Sequence, residues 1–192
     1  MNNKDWRPST EEVKQEISRV RHRRRYRRTL NSTVYYMLLA AALAVLVSTL
    51  WLPVLRIYGS SMTPTLEKDE LVIVEKHARF QTGDVCAFYY NNRLLVKRVI
   101  ANPGDWVNID EDGNVYVNGT LLEEPYVTEK ALGQCNLELP YQVPDERYFV
   151  MGDDRAVSLD SRNTAIGCIS EEQVLGKIIF RIWPLSGIGA VR

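Results

Sequence analysis

Twenty-two consecutive residues without a charge, VYYMLLAAALAVLVSTLWLPVL from Val34 to Leu55, constrain this chain more than any other feature. At a rise of ~1.5 Å per residue, a helix of that length reaches across the ~30 Å hydrocarbon core of a bilayer. Just before it, RVRHRRRYRR (19–28) holds seven arginines, whereas after Leu55 only Arg56 precedes Lys68. Basic residues favour the cytoplasmic end of a span. The expected layout is therefore a basic cytoplasmic tail over 1–32, a transmembrane helix over 33–55 and an extracytoplasmic domain over 56–192. A cleaved leader would share the basic region, the apolar stretch and the small residues Ala40, Ala41 and Ala42, but its apolar part runs to about 15 residues. This one is longer. The arginine run serves as an orientation signal or as an anchor on anionic inner-leaflet lipid. Ser9 with Glu12, followed by Val13, Ile17 and Val20 at helical spacing, suggests a short amphipathic helix in the tail.

The net charge of zero conceals an asymmetry. Residues 1–32 carry ten Lys/Arg against four Asp/Glu, and the remainder carries fourteen against twenty. A domain of net charge −6 repels polyphosphate, so nucleic acid is not an expected partner of it. Cys86, Cys135 and Cys168 show no Cys-x-x-Cys spacing, and His22 and His77 are far apart, so no metal site is expected. The cysteines permit one disulfide outside the cell, or they are three small core-filling thiols.

Beyond Arg56 the pattern is of short strands and turns. ELVIVEK (70–76), GDVCAFYY (83–90), RLLVKRVIA (93–101), DWVNID (105–110), NVYVNG (114–119) and RYFVMG (147–152) are rich in β-branched and aromatic residues. Asp112-Gly113 is placed for a two-residue hairpin, and Asn118-Gly119 for a further turn. Helical signal is confined to SEEQVLG (170–176). One mainly β domain follows, with 125–146 as a surface excursion.

Three stretches carry chemistry. In RIYGSSMTPTL (56–66), Gly59 frees the backbone and Pro64 stiffens the turn, so that Ser61 sits in a tight bend six residues from Leu55. At ~3.3 Å per residue that is at most about 20 Å from the end of the apolar run. Alone, such a bend is a connector or a nucleophile site. In RLLVKRVIA two adjacent cations interrupt an apolar strand, and alternation puts Lys97 on one face and Arg98 on the other. A lysine on the apolar face loses proton affinity and can act as a base; otherwise it snorkels from an edge strand. His77 in VEKHARF is the alternative base, but nothing around it resembles a triad segment and it reads as a loop residue. In MGDDRAVSLDSRNTAIG (151–167), Asp160 and Arg162 can pair bidentately and Ser158 can hydrogen-bond a neutral lysine amine.

Together, GSSMTPTL, LLVKRVIANPGD and MGDDRAVSLDSRNTAIG, in that order behind an apolar anchor, resemble type I signal peptidases, the Ser/Lys leader peptidases. TGDVCAF (82–88), VNG (117–119) and FRIWPL (180–185) extend the likeness, and the single apolar segment resembles the one-anchor members of Gram-positive bacteria. The resemblance implies a signal-peptidase-like β domain behind one N-terminal transmembrane helix. It implies Ser61 as nucleophile, Lys97 as general base and Ser158 as the residue orienting the lysine, supported by Asp153, Arg155, Asp160 and Arg162. Met62, Leu95 and Val96 are the expected substrate-pocket walls. Preprotein signal peptides, membrane lipid and the secretion machinery are the implied partners, and no metal or organic cofactor is needed. Two positions depart from the family pattern. Gly-Asp-Asp-Arg stands where Gly-Asp-Asn-Arg is usual, adding Asp154. Gly59 occupies a position where some members carry a hydroxyl donor to the oxyanion, which leaves the Ser61 N–H as the expected donor.

Overall fold

The computed structural model describes residues 9–76 and 78–191. His77 and the Glu12 and Ile17 side chains, on which three of the expectations fell, lie outside the described residues. The chain divides into two compact units, Met1–Val47 and Ser48–Arg192.

Thr10–Trp51 form one continuous helix, α1, so the basic stretch and most of the uncharged run share a single element rather than two. Among the described residues it is the one helix long and apolar enough to cross a membrane. It stops short of Leu55 because Pro53 disfavours helical geometry at the residue before it. Val54 and Leu55, which close the uncharged run, belong instead to a strand.

Twelve strands follow: β1 (Val54–Arg56), β2 (Leu71–Glu75), β3 (Val85–Tyr90), β4 (Arg93–Ala101), β5 (Trp106–Ile109), β6 (Val115–Val117), β7 (Thr120–Leu121), β8 (Tyr141–Gln142), β9 (Arg147–Met151), β10 (Ile169–Ser170), β11 (Val174–Trp183) and β12 (Gly189–Ala190). The larger sheet has the order β1-β2-β11-β3-β4-β9-β10 with β12 on β11, the smaller β7-β6-β5-β8, and every pairing is antiparallel. The fold is mainly β, as expected, and all six expected strands form.

Three local readings change. SEEQVLG is not a helix: Glu171–Gln173 make one 3-10 turn, bracketed by Ser170 and Gln173, and Val174 already enters the ten-residue strand β11. β11 pairs with β3 through Val174–Lys177 and with β2 through Lys177–Trp183, and that tertiary pairing outweighs the helical preference of three polar residues. The Asp112-Gly113 hairpin is longer than two residues. Asp110 N–H donates to the Asn114 carbonyl, and the Asp110 carboxylate takes the Asn114 N–H and side-chain amide, so Asp110 and Asn114 close a three-residue loop, Glu111–Gly113. The two-residue turn is Asn118-Gly119, where both residues have positive φ (51° and 79°) and Val117 pairs with Thr120.

The core has three parts. Ile57, Met62, Leu66, Val72, Val74, Val85 and Ile178 pack under the turn that carries Ser61. Cys86, Phe88, Val99, Tyr148, Val150 and Ile169 pack together beside β3, β4 and β9. Ile100, Val107, Ile109, Val115, Phe149 and Met151 join the smaller sheet to the larger. Met62 and Leu66 are 2% and 0% exposed. Each such side chain contributes roughly 1.5–3 kcal/mol relative to exposure, so the residues flanking Ser61 cannot drift without a large cost.

Candidate active site

β4 positions the cationic pair. On one edge Arg93–Arg98 pair with the whole of β3, from Tyr90↔Arg93 to Val85↔Arg98. On the other edge only Arg98–Ala101 pair, with β9. Among the described pairings, the second edge of Arg93–Lys97 is thus open. The β1 strand is likewise paired only with β2. Both open edges line a cleft of about 560 Å³, together with Ile57, Tyr58, Ser61 and Met62. Leu95 and Val96 line it too, so all three expected pocket walls border the cleft, Met62 as a buried floor residue.

Ser61 and Lys97, 36 positions apart, meet at this cleft. Lys97 Nζ lies 2.6 Å from Ser61 Oγ in a hydrogen bond donated by the amine. The lysine is 4% exposed. Burial pulls its proton affinity below the ordinary value of 10.5; Asp160 opposes this and the Arg162 guanidinium reinforces it. Arg98 is also buried, so the strand hides both cations, and each needs a different remedy. The guanidinium keeps its charge and takes acceptors: Asp153 Oδ1 at 2.8 Å and Oδ2 at 2.6 Å, the Gly83 carbonyl at 2.6 Å and Thr65 Oγ1 at 3.0 Å. The lysine has the serine hydroxyl instead.

Residues 151–167 wrap the dyad. Gly59 takes φ +85°, as the tight bend requires. The Asp154 N–H donates to the Ser61 carbonyl at 3.2 Å. Thr65 Oγ1 donates to Asp153 Oδ2. Gly152 is clamped on both sides, its N–H donating to Asp160 Oδ2 at 3.0 Å and its carbonyl accepting from Arg155 Nε at 3.0 Å. Asp160 and Arg162 form the bidentate pair read from the sequence, with Nε and Nη2 each 2.9 Å from a carboxylate oxygen. Burial alone would raise the Asp160 carboxyl; the Arg162 guanidinium and the Gly152 N–H hold it below the usual range.

Ser158 is 1% exposed; its hydroxyl completes no hydrogen bond of good geometry among the described residues but lies close enough to Asp160 to help hold that carboxylate's proton affinity down. No bond joins it to Lys97. Its side chain lies in the space beside Gly152 and the Ser61 carbonyl, where a Cβ on Gly152 would collide with it. Asp154, the departure from the family pattern, is half-buried; its carboxylate takes the Val157 N–H at 3.4 Å, and it meets the dyad only through its backbone N–H on the Ser61 carbonyl.

Sequence reasoning missed Arg98, Thr65 and Glu124. Arg98 was visible as the neighbour of Lys97, but its acceptors come from three distant segments. Glu124 pairs with Arg155 with both side chains fully buried. An acidic pair in a proline-containing stretch, Glu123-Glu124-Pro125, gives no local sign of burial. Among the described residues no cluster of His, Cys, Asp and Glu could hold a metal ion, and the three cysteines are free thiols, Cys86 and Cys168 buried and Cys135 partly exposed.

Known proteins match this arrangement in sequence. The profile of the family described as signal peptidase, peptidase S26, matches residues 30–183. A signal peptidase I of Bacillus amyloliquefaciens is 34% identical over 163 residues, covering 79% of this chain and 87% of that protein. Signal peptidase IB of Staphylococcus aureus is 39% identical over 150 residues, covering 68% and 77%. A crystal structure of a signal peptidase I from Enterococcus faecalis aligns with a TM-score of 0.43 at 29% identity, covering 52% of this chain and 97% of that one.

Proposed function

This chain belongs to the signal peptidase family, peptidase S26, a family of membrane-associated serine peptidases that remove signal peptides, and from that premise we propose that it cleaves preproteins with a Ser61/Lys97 dyad through an acyl-enzyme. One observation carries the reading: a buried lysine of lowered proton affinity lies 2.6 Å from a serine hydroxyl at a cleft bordered by two open strand edges.

The substrate enters as an extended strand against the open edges of β1 and β4, with Leu95, Val96 and Met62 forming the walls that hold small side chains near the cut. In the reactive form Lys97 is neutral, and the Ser61 hydroxyl donates to Nζ. As Oγ bonds to the scissile carbonyl carbon, its proton passes to Nζ and the carbonyl oxygen becomes an oxyanion. The Ser61 N–H, which donates to no acceptor among the described residues, is the oxyanion donor. Collapse breaks the carbon–nitrogen bond; the leaving amine takes the proton from Lys97, leaving an ester on Ser61. Water then gives a proton to Lys97 and attacks the ester carbonyl; as the ester bond breaks, Lys97 returns that proton to Ser61 Oγ, and the signal peptide leaves as a carboxylic acid that ionises in water. Ser158, buried with its hydroxyl in no well-formed bond, receives an N–H of the neutral lysine as the side chain settles. Asp153, Arg155, Asp160 and Arg162 hold the surrounding loop.

The arginine-rich stretch supports a cytoplasmic N-terminus and an outside catalytic unit, with the tail over 1–32 and a span that starts at 33 and, because α1 ends at Trp51 and β1 opens at Val54, closes short of Leu55. Ser61 lies ten residues beyond Trp51, where α1 ends, and at ~3.3 Å each the chain keeps the nucleophile near the lipid surface, where a signal peptide's cleavage site emerges. Lipid and the secretion machinery are its proposed neighbours. The test is processing of a preprotein by purified full-length protein in lipid. Wild type and His77→Ala are expected to process it, and Ser61→Ala and Lys97→Ala are not; loss in folded His77→Ala would instead assign the base to the histidine.

A further inference from the structure

Glu124 and Tyr126 belong to a short strap that leaves β7 of the smaller sheet, where Leu122 N–H still donates to the Val115 carbonyl and Val127 N–H turns back to Glu124. From this strap, two side chains reach two of the three buried arginines beside the dyad, Arg98 and Arg155. The Arg98 Cζ sits over the Tyr126 ring, 3.8 Å from its centre. The Glu124 carboxylate grips Arg155 through Nη1, at 3.2 Å, and Nη2. Tyr126 Oη also donates to Glu124 Oε1 at 3.4 Å, so the two contacts support each other.

We infer that the Glu124–Tyr126 strap is a positioning element for the hydrolytic site, holding Arg98 and Arg155 so that strand β4 and Gly152 stay registered against the Ser61 turn. The inference rests on the Ser61/Lys97 reading. Arg98 is the residue after Lys97, and its edge bonds to Asp153, Gly83 and Thr65 tie β4 to three separate segments. That guanidinium is covered on one side by the Tyr126 ring. Arg155 holds the Gly152 carbonyl through Nε, and its own carbonyl accepts from Arg162 Nη2 at 3.0 Å. A buried guanidinium stripped of its carboxylate or its apolar cover draws in water or swings to another acceptor. Either movement loosens the strand that carries the base and the glycine that abuts the nucleophile.

Burial of Tyr126 beside Glu124 keeps its phenol protonated, well above the ordinary range, so the ring presents a neutral face to the cation. The charged groups felt by Lys97 are Asp160 and Asp153, which favour its proton, and Arg162, which disfavours it; the Cys86 thiol directly across the strand pair is kept protonated by burial. None belongs to the strap. The effect on the base comes through the strand: a shift of β4 opens Lys97 to the cleft it lines, which relieves its burial, raises its proton affinity and moves the acidic limb of the pH–rate profile to higher pH.

The test uses full-length protein in lipid vesicles and a preprotein, reading kcat, KM and the acidic limb. Tyr126→Leu and Glu124→Gln are expected to lose about tenfold in kcat with KM little changed and the limb moved up. Tyr126→Phe, which keeps the ring over the guanidinium, is expected to restore both. Glu124→Asp retains the charge but withdraws it by one methylene; it is the variant that decides if the others do not fold, with reduced kcat expected and wild-type kcat overturning the inference. Wild-type kcat and limb in folded Tyr126→Leu, or equal impairment in Tyr126→Phe and Tyr126→Leu, would also overturn it. Processing by the Ser61→Ala or Lys97→Ala control would refute the dyad itself. Inactive controls alongside unimpaired strap variants would refute only the strap.

Discussion

Gly152→Ala is the smallest change that tests the packing of the site. A methyl there would lie under 3.0 Å from Ser158 Oγ, the Ser61 carbonyl oxygen and Ser158 Cβ, the last at 2.6 Å. Carbon atoms rest at about 3.5–4.0 Å, so roughly 1 Å of separation must be found. The glycine cannot supply it by retreating, because its N–H is held by Asp160 and its carbonyl by Arg155. The Ser61 carbonyl is backbone, fixed by the Asp154 N–H and flanked by buried Met62. The displacement therefore passes into the Ser61 turn. A misplacement of ~1 Å at a reacting group costs on the order of 100-fold in rate, and overpacking of this kind costs about 1–3 kcal/mol of stability. Steady-state processing measured well below both melting temperatures separates the two effects. The expected result is a kcat lower by roughly two decades in a protein that melts several degrees lower. A kcat within about threefold of wild type would show that the turn and the 151–167 loop move independently, which refutes the packing argument.

Lys97→Met removes a buried ammonium while keeping the side chain's bulk, so it is expected to abolish processing and to melt higher than wild type at pH 7. The sign follows from linkage: the folded-state affinity of Lys97 lies below 10.5, so in the window between the two values the unfolded chain binds more protons and wild-type stability rises with pH. The advantage of Lys97→Met in thermal melts should therefore shrink toward pH 10.5; an advantage that grows there would contradict a lowered lysine. Thiol labelling at pH 8 is expected to modify Cys135 in the folded protein and to reach Cys86 and Cys168 only on unfolding, since burial pushes those thiols up to about 12 and about 11 and leaves at most about one in a thousand ionised. Rapid labelling of Cys86 in folded protein would place it outside the core.

What the sequence determined by itself was whatever depends on local periodicity and order along the chain. The uncharged run from Val34 to Leu55 exceeds any core helix's need, and the alternating β-branched strands announce a mainly β domain, because burial of one face writes itself into neighbouring positions. The ordered motifs around Ser61, Lys97 and Asp160–Arg162 pointed to the family, and the Asp160–Arg162 pair was legible because its partners are two residues apart. The tertiary structure alone decided the rest. Val174–Trp183 became a strand because β2 and β3 offered it partners on both sides, against the local preference of Glu171–Gln173. Arg98 drew its acceptors from Gly83, Thr65 and Asp153, Arg155 its carboxylate from Glu124, and Lys97 its hydroxyl from a turn 36 residues away. A buried charge is tolerated only where such distant groups converge, and convergence is a property of folded space that no window of sequence contains.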